Sequence, residues 1–430
     1  MNRTDMVLRK EMMTAATTPS RCPVAHDFDP FGDRYREDPY PIFKELRDAA
    51  PVVYVPDLDA YLITRYDDIV KVFIDRETFS SEGSSSNFSP LCPEAQQILS
   101  TGFPRKATLT NCDAPRHTRM RAVVVKCLTP RRWSQSQPAV RAYATQLIDE
   151  LVNKPVADLQ ADLAYSLPAF AGFALLGFPL EDTDLLKGWC TNRVLLTYGK
   201  LSPDQQIQAA REVVDFWNYA AAHVQRRIKE PGDDLTTDLL EVARKSDGEV
   251  TTEDVLNIVY SISLASHETS QNAMLNGLRR LLESRDQWNL LCDEPELIPD
   301  AVEELLRYEA PAISLRRKTT RDTEIGGIPI PAGARVLMLT GSANRDPQHF
   351  PNPETLDFRR PNAREHLSLG KQWHFCLGAP LARFEYGLVL EQLTQKAPRM
   401  RLLADQTFDY HPLAQFRVMK QLLVEPRPMQ

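Results

Sequence analysis

The sequence predicts a mainly α-helical single unit with small β-sheets, and three observations predict it. Ten segments (41–49, 66–74, 115–128, 136–153, 159–176, 202–229, 251–283, 284–293, 296–309 and 377–395) space apolar residues three and four apart, as amphipathic helices do. Strand character is confined to short pieces. The proline-rich stretches 90–104 and 347–361 lie inside the run of elements and not between two complete sets, so they do not read as linkers. Length alone, 430 residues at roughly 150 per domain, suggests two or three units, but large enzyme folds often break that prior. One domain over 26–430 behind a flexible tail over 1–25 is the expectation.

The elements follow in order. Residues 1–21 scatter charges among short side chains and lack an apolar run, so they read as neither signal peptide nor anchor. After helix 41–49, Val52–Val55 and Tyr61–Thr64 read as strands joined by a turn at Pro56-Asp57-Leu58-Asp59. Beyond helix 66–74, residues 78–111 carry few regular signals and are long for a connector, which points to a substrate-facing element. Helices 115–128, 136–153, 159–176 and 202–229 lead to the long segment 251–283. There the apolar Val255, Ile258, Val259 and Ile262 run into Glu268 and Thr269 in mid-helix. Helices 284–293 and 296–309 precede strand pieces at Thr323–Ile330 and Arg335–Leu339. Helix 377–395 is followed by a strand pair near Met400–Leu403 and Gln421–Val424. No internal repeat is visible, and no stretch reaches the roughly 18 apolar residues of a membrane span.

Fifty-one Lys+Arg against 58 Asp+Glu give a net charge of −7 without long single-sign runs, a poor match to nucleic acid or an anionic membrane. Small molecules are the expected partners. The seven cysteines include no C-x-x-C pair and no even framework, which fits a reducing cytoplasm.

Cys376 stands apart. In Gly370-Lys371-Gln372-Trp373-His374-Phe375-Cys376-Leu377-Gly378 it lies where a loop runs into a helix, among unpaired backbone N–H groups that favour a thiolate. Such a sulfur can act as a nucleophile or bind iron, and a buried structural cysteine is the plain alternative. Gly378 would let a flat cofactor approach the backbone. A protease would need a spatially placed histidine, and zinc would need further Cys or His ligands nearby.

Gly370-x-x-x-His374-x-Cys376-x-Gly378-x-x-Leu381-Ala382-Arg383 resembles the haem-thiolate signature of the soluble bacterial cytochromes P450. Four further segments resemble family motifs in the family's order: Asp113-Ala114-Pro115-Arg116-His117-Thr118-Arg119-Met120-Arg121, Ala265-Ser266-His267-Glu268-Thr269, Glu304-Leu305-Leu306-Arg307 and Ala343-Asn344-Arg345-Asp346-Pro347. The resemblance spans about Phe28 to Val424. It implies a single-domain, triangular helical body enclosing haem b, with Cys376 as the axial iron ligand. His117, Arg121, Arg317 and His374 would neutralise the haem propionates, and Ala265 and Gly378 would touch the macrocycle. Glu304 and Arg307 would form a buried ion pair behind the cysteine loop. Thr269 and Glu268 would be the acid–alcohol pair that handles protons during O2 activation, with Glu268 relaying from solvent.

Departures from the family pattern stand at Ser266 (usually Gly), Leu369 (usually Phe), Gln372 (often Gly) and Thr355, where a third basic partner of the ion pair often follows. By family position the substrate pocket is expected at Phe88, Leu91, Leu195, Tyr198, Leu264, Ala312, Ile313, Ser314, Leu413 and Phe416. This is a mostly apolar set suited to a lipophilic or aromatic molecule such as a secondary metabolite. The chain ends about 50 residues past Cys376, so electrons from NAD(P)H are expected through a ferredoxin or flavodoxin and its reductase. That partner would be drawn to Arg116, Arg119, Lys126, Arg131, Arg132 and Lys371. An oxidative-coupling or peroxide-using enzyme, or a non-catalytic haem sensor or carrier, are the competing readings.

Overall fold

The computed structural model describes residue 23 and residues 25–428; the remainder of the expected N-terminal tail lies outside the described residues. Pro23 and Ala25 exchange backbone hydrogen bonds with Tyr54, tying this end of the chain to the first strand.

Helices form most of the body, and local chemistry sets several starts. Ser202 and Gln205 make a reciprocal capping box before the helix Pro203–Lys229, as do Thr251 and Asp254 before Thr252–Ala265. Thr129 caps Pro130–Leu151, which starts six residues before the apolar spacing predicts and continues through Pro138. Pro93–Gly102, Thr183–Tyr198 and Leu235–Arg244 are helices that periodicity did not reveal. The second has a physical reason: it buries Lys187 and Arg193 as well as Leu186 and Leu196, so its polar and apolar residues do not segregate.

One core joins Pro130–Leu151, Glu268–Glu283, Ile298–Tyr308 and Ala379–Lys396 through Ile148, Leu278, Leu305 and Leu390. A second joins Leu167–Leu176, Pro203–Lys229 and Thr252–Ala265 through Phe173, Phe216 and Ile258. Beside them lies a five-stranded sheet in the order Val52–Val55, Ala60–Ile63, Arg335–Met338, Leu315–Thr319, Phe79–Ser80. Its second and third strands run parallel, with Leu62 opposite Leu337. The run Leu-Arg-Arg-Lys-Thr hid the strand Leu315–Thr319, which is interior to this sheet.

The segment expected to be one helix over 251–283 is two. Thr252–Ala265 and Glu268–Glu283 are separated at Ser266 and His267, where His267 turns to φ −128°. Thr269 Oγ1 donates back to the Ala265 carbonyl (3.2 Å), and Ser266 Oγ to that of Ser263 (3.4 Å), contacts that bend helices. The Ser266 hydroxyl fits because residue 172 is glycine: a Cβ there would stand 2.1 Å from Ser266 Oγ.

Candidate active site

Cys376 lies where the last long helix begins. Its N–H donates to the Leu369 carbonyl (2.8 Å), closing the loop that Gly370 opens at φ +70°. Gln372 sits at φ +54°, a left-handed conformation that glycine adopts more readily, so the departure from Gly places strain in this loop. Burial pushes the Cys376 thiol up, while the N–H of Gly378, the Arg121 and Arg383 guanidiniums and the N–H of Ala379 pull it down; burial prevails. Arg383 is held by Glu303 (2.5 and 2.9 Å).

Four cationic or potentially cationic residues assemble beside it. The His117 and His374 rings lie 4.2 Å apart, Arg121 donates to the Phe375 carbonyl (2.8 Å), and Arg317 donates to the Arg316 carbonyl (2.7 Å). Burial and the neighbouring Arg317, His117 and Arg121 hold His374 down at about 3, and burial lowers Arg317 to about 10. Asp113, the carboxylate that acts on both His117 and Arg317, already accepts from Ser80 Oγ and from Ser81 N (2.9 Å). His117 Nε2 is buried without a partner. A basic cluster short of anions suits a group bearing two carboxylates, and a sulfur ringed by N–H groups suits a metal. Gly378 also leaves room for a flat group, since a Cβ there would meet nothing closer than Cys376 Sγ at 3.8 Å. The residues present therefore fit haem.

Glu268 is not placed where a relay from solvent would put it. Its carboxylate is buried, accepting from Lys187 Nζ (2.6 Å) and Thr191 Oγ1 (2.7 Å), with Lys187 Nζ 3.2 Å from His267 Nδ1. Burial works to raise the Glu268 carboxyl, but Lys187, His267 and Thr191 together outweigh it and keep the group low; burial drives His267 down to about 3. Lys187 and Thr191 come from the helix Thr183–Tyr198, which has no apolar periodicity, so nothing local in the sequence pointed to them.

A cavity of about 430 Å³ opens between Cys376 and the helix break. Arg121, Ala265, Glu268, Thr269, Arg317, His374 and Gly378 line it with Cys376, while His117 stands behind His374. Of the expected pocket positions, Tyr198, Leu264, Ala312 and Phe416 line the wall; Phe88, Leu91, Leu195, Ile313, Ser314 and Leu413 do not. Ile313 packs in the core under the sheet, Ser314 is buried, and Leu413 bridges Gly199. The wall is more basic than the apolar expectation: Arg105, Arg193 and Arg316 also line it. Arg316 is separated from Arg317 by strand alternation, its guanidinium over Phe88 (4.4 Å) and Tyr198 (5.5 Å).

The ion pair behind the loop is complete. Arg307 binds Glu304 through two bonds (2.7 and 2.8 Å), and Arg360, not position 355, is the third partner (3.1 Å to both carboxylate oxygens). Thr355 contributes only its carbonyl, to Arg307 and Arg360. In the expected docking patch, Arg116 is tied to Asp254 (2.7 Å) and Arg132 to Asp233 and Asp238, whereas Arg119, Lys126 and Arg131 are exposed.

A helical body with a cysteine at a helix start, a basic cluster at one edge of the cavity above it and an acid–alcohol pair across that cavity defines a haem-dependent oxygenase. A sequence model described as Cytochrome P450 matches residues 291–396. The chain is 35% identical over 381 residues to 6-deoxyerythronolide B hydroxylase of Saccharopolyspora erythraea, covering 87% of this chain and 92% of that protein. It is 32% identical over 386 residues to cytochrome P450 monooxygenase PikC of Streptomyces venezuelae, covering 88% and 89%. The solved structure of cytochrome P450 CREJ in complex with (4-ethylphenyl) dihydrogen phosphate superposes with a TM-score of 0.89 at 37% identity, covering 93% of this chain and 99% of that one. The protein belongs to the cytochrome P450 family and is a monooxygenase of that family, which implies a thiolate-ligated haem and O2. Among the described residues, no helix is long and apolar enough to cross a membrane.

Proposed function

We propose that Cys376 holds the iron of haem b and that this chain inserts oxygen into a small organic molecule. The two electrons would come from NAD(P)H through a reductase and a separate ferredoxin or flavodoxin. The observation that carries this is the juxtaposition of Cys376, ringed by N–H groups, with a basic cluster whose buried His117 Nε2 lacks a partner. Haem, once bound, supplies the oxygen-activating chemistry. The chain's own residues do the rest. Arg121, Arg317 and His374, backed by His117, hold the propionates. Leu377 and Leu369 border the sulfur and limit water. Thr269 places its hydroxyl at the cavity wall, where it can exchange its bond to the Ala265 carbonyl for one to a bound group, while Glu268, fixed by Lys187 and Thr191, holds charge one residue away.

The hydroxylase among the relatives supports oxygen insertion, and the neighbour solved with an ethylphenyl compound supports an aromatic substrate of that size. Exposed Trp373 and Phe375, with Arg119 and Lys126 on the adjacent helix, support docking of an acidic electron donor on this side. Six free cysteines among the described residues support a reducing cytoplasm. The test is the ferrous–CO spectrum. The wild type is expected to show the red-shifted thiolate Soret band and Cys376→Ser to lose it; a Cys376→Ser protein that keeps that band would refute the assignment.

A further inference from the structure

The cavity's charges do not balance once haem is accounted for. Five guanidiniums line it, Arg105, Arg121, Arg193, Arg316 and Arg317, against a single lining carboxylate, Glu268, which Lys187 already neutralises. Two propionates answer the cluster of His117, Arg121, Arg317 and His374. Arg316 stands apart from that cluster, its guanidinium over the Phe88 and Tyr198 rings. Arg105, Arg193 and Arg316 are left without an acidic partner among the described residues.

Their hydrogen bonds show the same deficit. Arg105 reaches only Ser261 Oγ (3.3 Å) among side chains, and its Nε is buried without a partner. Arg193 donates to Thr197 Oγ1 (2.6 Å), and Arg316 has buried Nε and Nη2 atoms with no partner in the hydrogen-bond network. Aromatic faces surround them: Tyr260 lies 5.8 Å from the Arg105 guanidinium, Phe103 5.7 Å from Arg193, and Phe88 4.4 Å from Arg316. Arg105 and Arg193 are close enough to repel; Arg193 is buried, and Arg105 and Arg316 are partly buried. Buried cations are ordinarily paired, so neighbouring guanidiniums facing a cavity call for an anion.

We propose that the substrate carries an oxyanion head group, a phosphate or a carboxylate, received by Arg105, Arg193 and Arg316 while its apolar part lies along Leu264, Ala265 and Phe416. This deepens the preceding reading and rests on it, since it takes the cavity above Cys376 as the substrate site. The arginines select the substrate and orient it, leaving the apolar end toward the cysteine side. The guanidinium fork suits both head groups.

The holoprotein is titrated by calorimetry with 4-propylphenyl phosphate, 4-propylbenzoate and the neutral 4-propylphenol, and its ferrous–CO spectrum is recorded from the same preparation. At least one anion is expected to bind about 10-fold or more tightly than the phenol, as charge-assisted hydrogen bonds imply. The tighter of the two anions identifies the head group. Arg105→Gln, Arg193→Gln and Arg316→Gln are each expected to weaken that anion by about 10- to 100-fold and to shift the phenol by less than about 3-fold. Retained haem shows that each variant folds. A phenol that binds as tightly as both anions, or variants that weaken all three probes alike, would overturn the proposal. A missing thiolate band would instead strike the Cys376 assignment, and the calorimetric preference would still decide this one.

Discussion

The three buried charges behind the cysteine loop carry a net positive charge, two guanidiniums to one carboxylate, which makes their removal unequal. Replacing Glu304 by Gln leaves Arg307 and Arg360 facing each other, both almost wholly withdrawn from water. An uncompensated buried charge costs about 3–5 kcal/mol. Arg360→Met removes two contacts to Glu304 and bonds to the carbonyls of Pro351, Asn352 and Thr355, yet leaves a neutral, doubly bonded Glu304–Arg307 pair. Net hydrogen-bond values put that loss at about 1–3 kcal/mol. An unfolding entropy of about 2.1 cal/mol/K per residue over 430 residues converts these to drops of about 3–6 °C and about 1–3 °C. The double variant carries one excess guanidinium, not two, so its loss should be smaller than the sum of the singles. Scanning calorimetry at one fixed rate, with the haem absorbance ratio of each preparation, measures both. If Arg360→Met destabilised as much as Glu304→Gln, or the double variant were additive, the charge argument would be wrong.

Other consequences can be checked separately. Gly172→Ala drives a methyl to 2.1 Å from Ser266 Oγ, an overpacking that costs about 1–3 kcal/mol; Ser266→Gly in the same chain should restore the melting temperature, and no rescue would show that the contact does not matter. His223, buried against the Leu176 carbonyl, is pushed by burial to about 4. Its depressed value means that folding favours the neutral ring, so its contribution is complete above about pH 6.5 and is lost as pH falls toward 4. The unfolding free energy of His223→Gln should therefore fall less steeply between these values, by up to one proton, and an unchanged slope would exclude this source. Thr269→Ala should keep haem and the thiolate Soret band but release more hydrogen peroxide per electron pair; unaltered coupling would remove Thr269 from proton handling.

Local features were legible wherever covalent geometry sets the relationship. Cys376 at a helix start, Glu304 and Arg307 one turn apart, and Glu268 beside Thr269 all lie within a few residues of their partners, and the sequence displays such spacings directly. The family resemblance built from them agreed with the family the chain belongs to. Position along the central helix was legible as well, but its interruption at Ser266 was not, because Gly172 on another helix is what admits that side chain.

What only the tertiary structure decided is which buried polar groups meet. Arg360 closes on Glu304 across 56 residues, and Lys187 on Glu268 across 81. Arg105, Arg193 and Arg316 converge on one cavity from a loop, a helix and a strand. In a sequence each of these is one more charged residue, and a charged residue is ordinarily solvated. Nothing local distinguishes the exceptions: Lys187 and Arg193 sit in a helix whose mixed burial erased its own periodicity, and Arg316 beside Arg317 differs only in the face of the strand it occupies. Long-range packing withdraws these groups from water, and only then does the need for a partner become a physical constraint that can be read.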